Sequence, residues 1–361
     1  MTKKVWFMLG IVIFSILGGL AGCAPTPTAI EKYGLTFRYP APQIGPGGES
    51  IEWFVQEIEE RTNGRVEIEI FWGGALLKPG EGLDGISRGV ADMGVIIVPY
   101  AHEKLLITNA LRDGTGFLGL DMIGAVDVFW RLAEKYPQIE DEYLAQNQKV
   151  LGFNTGGNFH LISTVPIRKI EDFDGLRVRA GSPLTKLISE TTGATPIDIK
   201  ASEAYSALQT GVIDATHGDL DYMNSYKYYE VAKHFTYIDL GSAPPMTAFT
   251  INLDRWEELP SDIQQVMIEV GRRQHEVYGG MYYEQVEAIR ERWRTEEEVK
   301  FYALPPEDYE TMRTHSAVEE LRRKGVERLE AKGLPGQEMM DEFVRLLKQL
   351  ASESRLERVI D

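Results

Sequence analysis

The residue whose type and position point most directly to chemistry is Arg179. It closes the strand-like run Gly175-Leu176-Arg177-Val178-Arg179. It stands three residues before Ser182, which with Pro183 reads as a helix start. A guanidinium beside a helix N-terminus is suited to hold a carboxylate. Its planar fork donates two parallel hydrogen bonds, and the free backbone N–H groups add positive potential. Lysine would not reproduce that geometry. Spacing alone is equally compatible with a surface arginine.

Catalytic patterns are weaker. Gly85-Ile86-Ser87-Arg88-Gly89 matches Gly-x-Ser-x-Gly, but a nucleophile elbow needs an apolar strand before the serine and a helix after it. Here Lys78-Pro79-Gly80-Glu81 lies upstream and a strand-like run follows, so Ser87 reads as a helix end. Gly114-Thr115-Gly116-Phe117-Leu118-Gly119 matches a dinucleotide fingerprint without the strand that should lead into it. The histidines (His102, His160, His217, His234, His275 and His315) are scattered and form no His-x-x-x-His pair, so no zinc site is expected. No catalytic residue, metal ligand or cofactor is assigned.

Several elements must position Arg179 and its surroundings. Residues 35–39 read as a strand stopped by Pro40 and Pro42, and residues 45–48 as a loop. Ser50 reads as the N-cap of an amphipathic helix carrying Ile51, Phe54, Val55 and Ile58 at helical spacing and ended by Asn63-Gly64. Residues 66–71 alternate as the next strand. The apolar run Val95-Ile96-Ile97-Val98 has the character of a buried parallel strand. Downstream, Leu184, Leu187, Ile188 and Thr191 form a helical stripe closed by Gly193. Residues 202–209 read as a further short helix, and residues 212–214 begin a strand. Ser261 opens a long helix through a capping box to Gln264. Helical patterns then run to the C-terminus, with Met339, Phe343, Leu346, Leu347 and Leu350 as the last apolar face. Strands separated by helices predict an α/β architecture.

The start of the chain indicates the compartment. Lys3 and Lys4 precede an uncharged stretch, residues 5–22, that ends in Leu20-Ala21-Gly22-Cys23. Charge, apolar length, small residues and a terminal cysteine together predict a lipoprotein signal peptide, cleaved before Cys23 after its thiol is lipidated. An uncleaved anchor is the alternative, although the stretch is at the short end of a span. Cys23 is the only cysteine of the 361 residues, so the folded part has no disulfide, thiolate cluster or cysteine nucleophile. Cleavage leaves 36 basic against 55 acidic side chains, from a whole-chain charge of −17. That excess of acid argues against nucleic acid or a polybasic membrane face, while a single cation in a cleft can still hold an anion.

Several ordered motifs then coincide: Gly89-Val90-Ala91-Asp92-Met93-Gly94; Pro166-Ile167; Glu171-Asp172-Phe173-Asp174-Gly175 leading to Arg179; Glu203-Ala204-Tyr205-Ser206-Ala207-Leu208-Gln209-Thr210-Gly211-Val212-Ile213-Asp214-Ala215; and Lys227-Tyr228-Tyr229-Glu230-Val231-Ala232-Lys233. From about residue 35 to residue 285 the chain resembles the solute-binding proteins of tripartite ATP-independent periplasmic (TRAP) transporters, of the DctP type. The resemblance implies a two-lobed, periplasmic-binding-protein-like α/β fold with a ligand cleft between the lobes and a long helix spanning the hinge. The expected division is a signal peptide (1–22), a lipidated tether (23–33), a first lobe (34–156 and 246–283), and a second lobe with the C-terminal helices (157–245 and 284–361). The implied partners are a small carboxylate, the membrane subunits of an ion-driven transporter, and the membrane itself through Cys23. The chain is expected as a monomer or a homodimer.

The resemblance also implies that Arg179 holds the ligand carboxylate. A second arginine found in some members falls on Phe159, so Asn158, Phe159 or His160 is expected at the ligand. In Thr216-His217-Gly218-Asp219, Gly218 stands where an Asn or Trp is common. This leaves room for a larger ligand, or for water or a cation near Asp219, with His217 beside it. Residues 39–43, with Tyr39, and 97–100, with Tyr100, are expected to line the opposite lobe. Ile97 and Val98 there disfavour a ligand with many hydroxyls. The usual Leu-Pro-Phe near residue 115 is replaced by Gly114-Thr115-Gly116-Phe117. The expected function is capture of a small organic acid for transport. A ligand-presenting co-receptor and an exported hydrolase using Ser87 are the alternatives.

Overall fold

Period-two burial builds the first sheet. In strand β1 (Tyr33–Arg38) Leu35 and Phe37 face inward; in β2 (Val66–Phe71) Val66 and Ile68 do, while Glu67 and Glu69 face solvent. The computed structural model describes residues 31–118, 121–241 and 244–353. The expected signal peptide and the expected lipidation site, Cys23, lie outside the described residues. The remaining strands are β3 (Met93–Ile97), β4 (Gln148–Asn154), β5 (His160–Ser163), β6 (Arg177–Arg179), β7 (Thr195–Ile197), β8 (Ala215–Gly218), β9 (His234–Tyr237), β10 (Thr247–Asn252) and β11 (Lys300–Ala303). They form a five-stranded sheet in the order β2-β1-β3-β10-β4 and a six-stranded sheet in the order β11-β9-β5-β8-β6-β7.

Each sheet carries its own apolar core, so the chain forms two α/β lobes. Phe37, Phe54, Val95, Phe249 and Met267 belong to one side of the first sheet; Leu161, Val178, Leu184 and Leu187 pack on the second. Strand β3 is apolar as expected, but it is parallel only to β1 and runs antiparallel to β10. Two extended segments cross between the sheets, joining β4 to β5 and β9 to β10. They are tied together by Leu240 N–H to Phe159 O (3.1 Å) and Met246 N–H to Asn154 O (2.9 Å).

The third crossing is the helix Ser261–Thr295, of 35 residues, which spans about 50 Å at the usual helical rise. Its first half buries Ile263, Met267 and Val270 in the first core; Ile289 and Trp293 are buried with the second sheet's Phe235. The expected capping box does not form. Pro260 precedes the helix, and Gln264 donates instead to Trp256 O (2.8 Å), at the end of the preceding helix. Ser50 is likewise not an N-cap. The helix begins at Gly45, where a positive φ and Pro46 set the first turn, and the Ser50 hydroxyl donates to Gly47 O (2.9 Å). Gly48 sits 3.1 Å, measured from a notional Cβ, above the Gln43 backbone, an approach that a larger residue would obstruct.

Two further features depart from the sequence reading. Strand β11 was not visible because it follows Glu296-Glu297-Glu298 and pairs only at the sheet edge, with β9. The helices Ser316–Glu330 and Gly336–Glu353 bury Leu329, Met339, Phe343 and Leu347 against Leu111 and Phe129. Their apolar face therefore lies in a core that also holds Ile96 and Phe153 of the first sheet, whereas the expected division groups residues 284–361 with the second lobe. Among the described residues no helix is long and apolar enough to cross a membrane.

Candidate functional site

Arg179 is the last residue of β6, and its side chain is almost completely buried, with 4% exposed. Ser182 caps the following helix, Pro183–Thr192, and Gly193 ends it in a left-handed conformation, so the local structure matches the sequence reading. The guanidinium Nε donates to Ile199 O (3.1 Å), and Nη1 lies 3.3 Å from His217 Nε2. An arginine has no acceptor to offer, so His217 Nε2 accepts and its proton resides on Nδ1. That Nδ1 is buried without a partner. Burial, aided by the charges of Arg179 and Arg112, holds the His217 imidazole well below its usual pKa, so the ring is neutral. Burial also opposes the charge on Arg179, but the phenols of Tyr222, Tyr228 and Tyr100 outweigh it and raise its pKa. Among the described residues no carboxylate pairs with Arg179.

These groups line a cavity of about 190 Å³ between the lobes. The second lobe contributes Phe159, Arg179, His217 and Asp219; the first contributes Tyr39, Pro40, Ile97 and Tyr100. Tyr100 also accepts the Ala201 N–H (3.2 Å), a hydrogen bond from one lobe to the other. Phe159 stacks on His217 with ring centroids 5.6 Å apart, so it packs the imidazole that supports Arg179.

Three expected residues are not among those lining the cavity: Asn158, His160 and Gly218. His160 instead packs edge-on against Phe235 and Tyr237 and faces Asp239 at 3.7 Å. The space that Gly218 was expected to free is filled by the Tyr222 ring, 2.5 Å from where a Cβ would stand. Of the apolar wall, Ile97 lines the cavity, while Val98 is buried in the core. Ser87 ends the helix Gly82–Ser87 and follows no strand, as its sequence context indicates.

Sequence reasoning missed Arg112, Asp221, Tyr222, Tyr226 and Tyr278, all of which line the cavity. Arg112 is fully buried in the helix Leu106–Asp113, where its Nη1 donates to Asp113 Oδ1 (2.6 Å). It is thus already neutralised, unlike Arg179. Asp219 caps the helix Leu220–Ser225 through Oδ1, which accepts the Tyr222 N–H (2.9 Å). A Cβ on Gly156 would stand 2.0 Å from Asp219 Oδ2, so a larger residue there would push the Asp219 carboxyl group aside. Burial, with Asp221 adding its charge, pushes Asp219 up to about 7; burial pushes Asp221 up to about 6.

The raised Asp219 has a consequence for stability. Folded Asp219 keeps its proton where the unfolded chain has lost it, so its contribution is fully present below about pH 4 and is lost as pH rises through about 7. Asp219→Asn keeps a capping oxygen and cannot titrate. Relative to that variant, the empty wild-type protein should lose thermal stability steadily between about pH 4 and about pH 7 and level off above. Melting curves that stay parallel across that range would contradict the assignment.

A cleft between two lobes whose described lining holds a buried guanidinium without a carboxylate partner is suited to bind an anion. Comparison with known proteins agrees. The model of bacterial extracellular solute-binding protein family 7, DctP, matches residues 37–324, and the chain belongs to that family. The C4-dicarboxylate-binding periplasmic protein of Rhodobacter capsulatus is 24% identical over 316 residues, 81% of this chain and 89% of that one. A solute-binding protein of a Sulfitobacter species is 26% identical over 260 residues, 71% of this chain and 76% of its own. Among solved structures, a TRAP solute-binding protein from Rhodoferax ferrireducens, in complex with copurified benzoate, superposes with a TM-score of 0.78 at 17% identity. The match covers 89% of this chain and 99% of that one. The protein is accordingly a bacterial extracellular solute-binding protein of the DctP family and not an enzyme.

Proposed function

We propose that this protein captures a small organic acid through Arg179 and delivers it to the membrane subunits of a TRAP-type secondary transporter. The observation that carries this reading is a buried guanidinium in the interlobe cavity with no carboxylate partner of its own among the described residues. A buried cation is costly unless paired, so an anionic ligand is the natural complement. The mostly apolar walls and the phenols around the cavity favour a compact or aromatic acid over a polyhydroxylated one. Proteins similar to this one bind C4-dicarboxylate and benzoate, both acids.

A thermal-shift screen against small carboxylates and neutral sugars tests the reading, because a ligand bound only by the folded state raises the melting midpoint. Acids should raise it and sugars should not. A protein stabilised only by neutral compounds would refute the carboxylate reading.

Leu20-Ala21-Gly22-Cys23 supports a lipid anchor on Cys23 in the exported chain. Cys23→Ser should move the protein from the membrane fraction to the soluble fraction and abolish labelling with a fatty-acid analogue. Unchanged membrane association would exclude the anchor.

A further inference from the structure

The cavity that holds Arg179 also holds two carboxylates, Asp219 and Asp221, each only 4% exposed. Among the described residues neither forms an ion pair with a lysine, arginine or histidine, and Arg179 pairs with neither. A guanidinium and two carboxyl groups therefore share one cavity without pairing. Asp221 Oδ2 accepts from the Tyr278 hydroxyl (3.3 Å), the Gly47 N–H and the Ser225 hydroxyl lie beside the same carboxyl group, and its buried Oδ1 makes no hydrogen bond of ordinary geometry. Asp219 uses Oδ1 to cap the helix Leu220–Ser225, and its Oδ2 rests over Gly156. The rings of Tyr39 and Tyr278 line the same cavity. Burial keeps both phenols protonated, so they offer π faces and hydroxyls but no charge.

A single ligand can complete both sets of charges. Carboxylates buried without a cation are unfavourable, and a cation between them gains charge-assisted hydrogen bonds and attraction to the aromatic faces. We propose that the ligand is a zwitterion, with its carboxylate on Arg179 and an ammonium or amidinium group against Asp219 and Asp221. This rests on the carboxylate reading of the same cleft and narrows it to amino acids, betaines and related compounds.

The test is titration of the purified protein with matched acids that differ in the cationic group: 4-aminobutyrate against butyrate, 3-(aminomethyl)benzoate against 3-methylbenzoate, and glycine betaine against 3,3-dimethylbutyrate. In at least one pair the cationic member should bind about tenfold tighter or more, as expected for a charge-assisted contact. Asp219→Asn, which retains the helix cap, should bring that ratio towards one. If the uncharged members bind as well as their cationic counterparts in every pair, and do so through Arg179, the zwitterion is refuted while the carboxylate reading stands. If the uncharged members bind only with added sodium or calcium, the aspartates serve a metal ion and the proposal likewise fails. If no acid of either kind binds, both readings fall.

Discussion

Arg179→Ala is expected to weaken binding of the acid ligand on the order of 100-fold. Two charge-assisted hydrogen bonds to a carboxylate are together worth about 3 kcal/mol, and every 1.4 kcal/mol is about tenfold in affinity. Arg179→Lys keeps the charge but loses the planar fork, together with the fixed contacts to Ile199 O and His217, so a loss of roughly tenfold or more is expected there too. Stability should move differently from binding. In the empty protein Arg179 serves Ile199 O and His217 Nε2, and its surroundings favour the charged form, so a neutral side chain of similar volume leaves two buried acceptors without their donor. Arg179→Met should therefore still fold, at a midpoint lowered by a few degrees, while failing to bind. Calorimetric titration and thermal melting of the three variants separate these effects. An Arg179→Ala protein that is well folded and binds with wild-type affinity would remove the proposed site.

The second large effect concerns the helix that joins the lobes. Gly271 of Ser261–Thr295 lies directly on β4: a Cβ there would stand 2.3 Å from Leu151 O and 2.7 Å from its carbonyl carbon. The obstacle is backbone in a central part of the fold, so no side-chain rotation clears it. Gly271→Ala should cost about 3 kcal/mol, the upper end for overpacking a well-filled core. Gly280, on the same helix, is exposed with nothing within 4 Å of its Cβ position. Gly280→Ala should stabilise by about 0.5–1 kcal/mol, because alanine loses less conformational freedom in a helix. Urea denaturation of the pair checks both signs. Equal and small effects at the two positions would show that the helix does not pack on β4 as described.

These two residues illustrate what could be read from sequence and what could not. Arg179 was legible because its cues are local: a strand, an arginine at its end, then Ser182-Pro183 opening a helix, all within a few residues. The strands β1 and β2 were legible for the same reason, their period-two burial being written into adjacent residues. Gly271 gave no signal, because the requirement for glycine comes from Leu151, 120 positions earlier in the chain. Asp221 and Tyr278 likewise carry no local signal, because only the packing of the lobes brings them to one cavity. His160 misled for the opposite reason. It neighbours Phe159, which does line the cavity, but alternation along the chain turns it towards Phe235 and Tyr237. Ser50 and Ser261 have good capping chemistry in the wrong context, since Gly45-Pro46 starts one helix earlier and Gln264 is drawn to Trp256 O.

The most direct test of carboxylate capture is to titrate the wild-type protein with the tightest-binding acid from the screen and with that acid's primary amide. The two have nearly the same shape and differ in the charge that Arg179 would read. The acid should bind about 100-fold tighter, and the difference should vanish in Arg179→Ala. An amide that binds as tightly as its acid would contradict the central role given to Arg179.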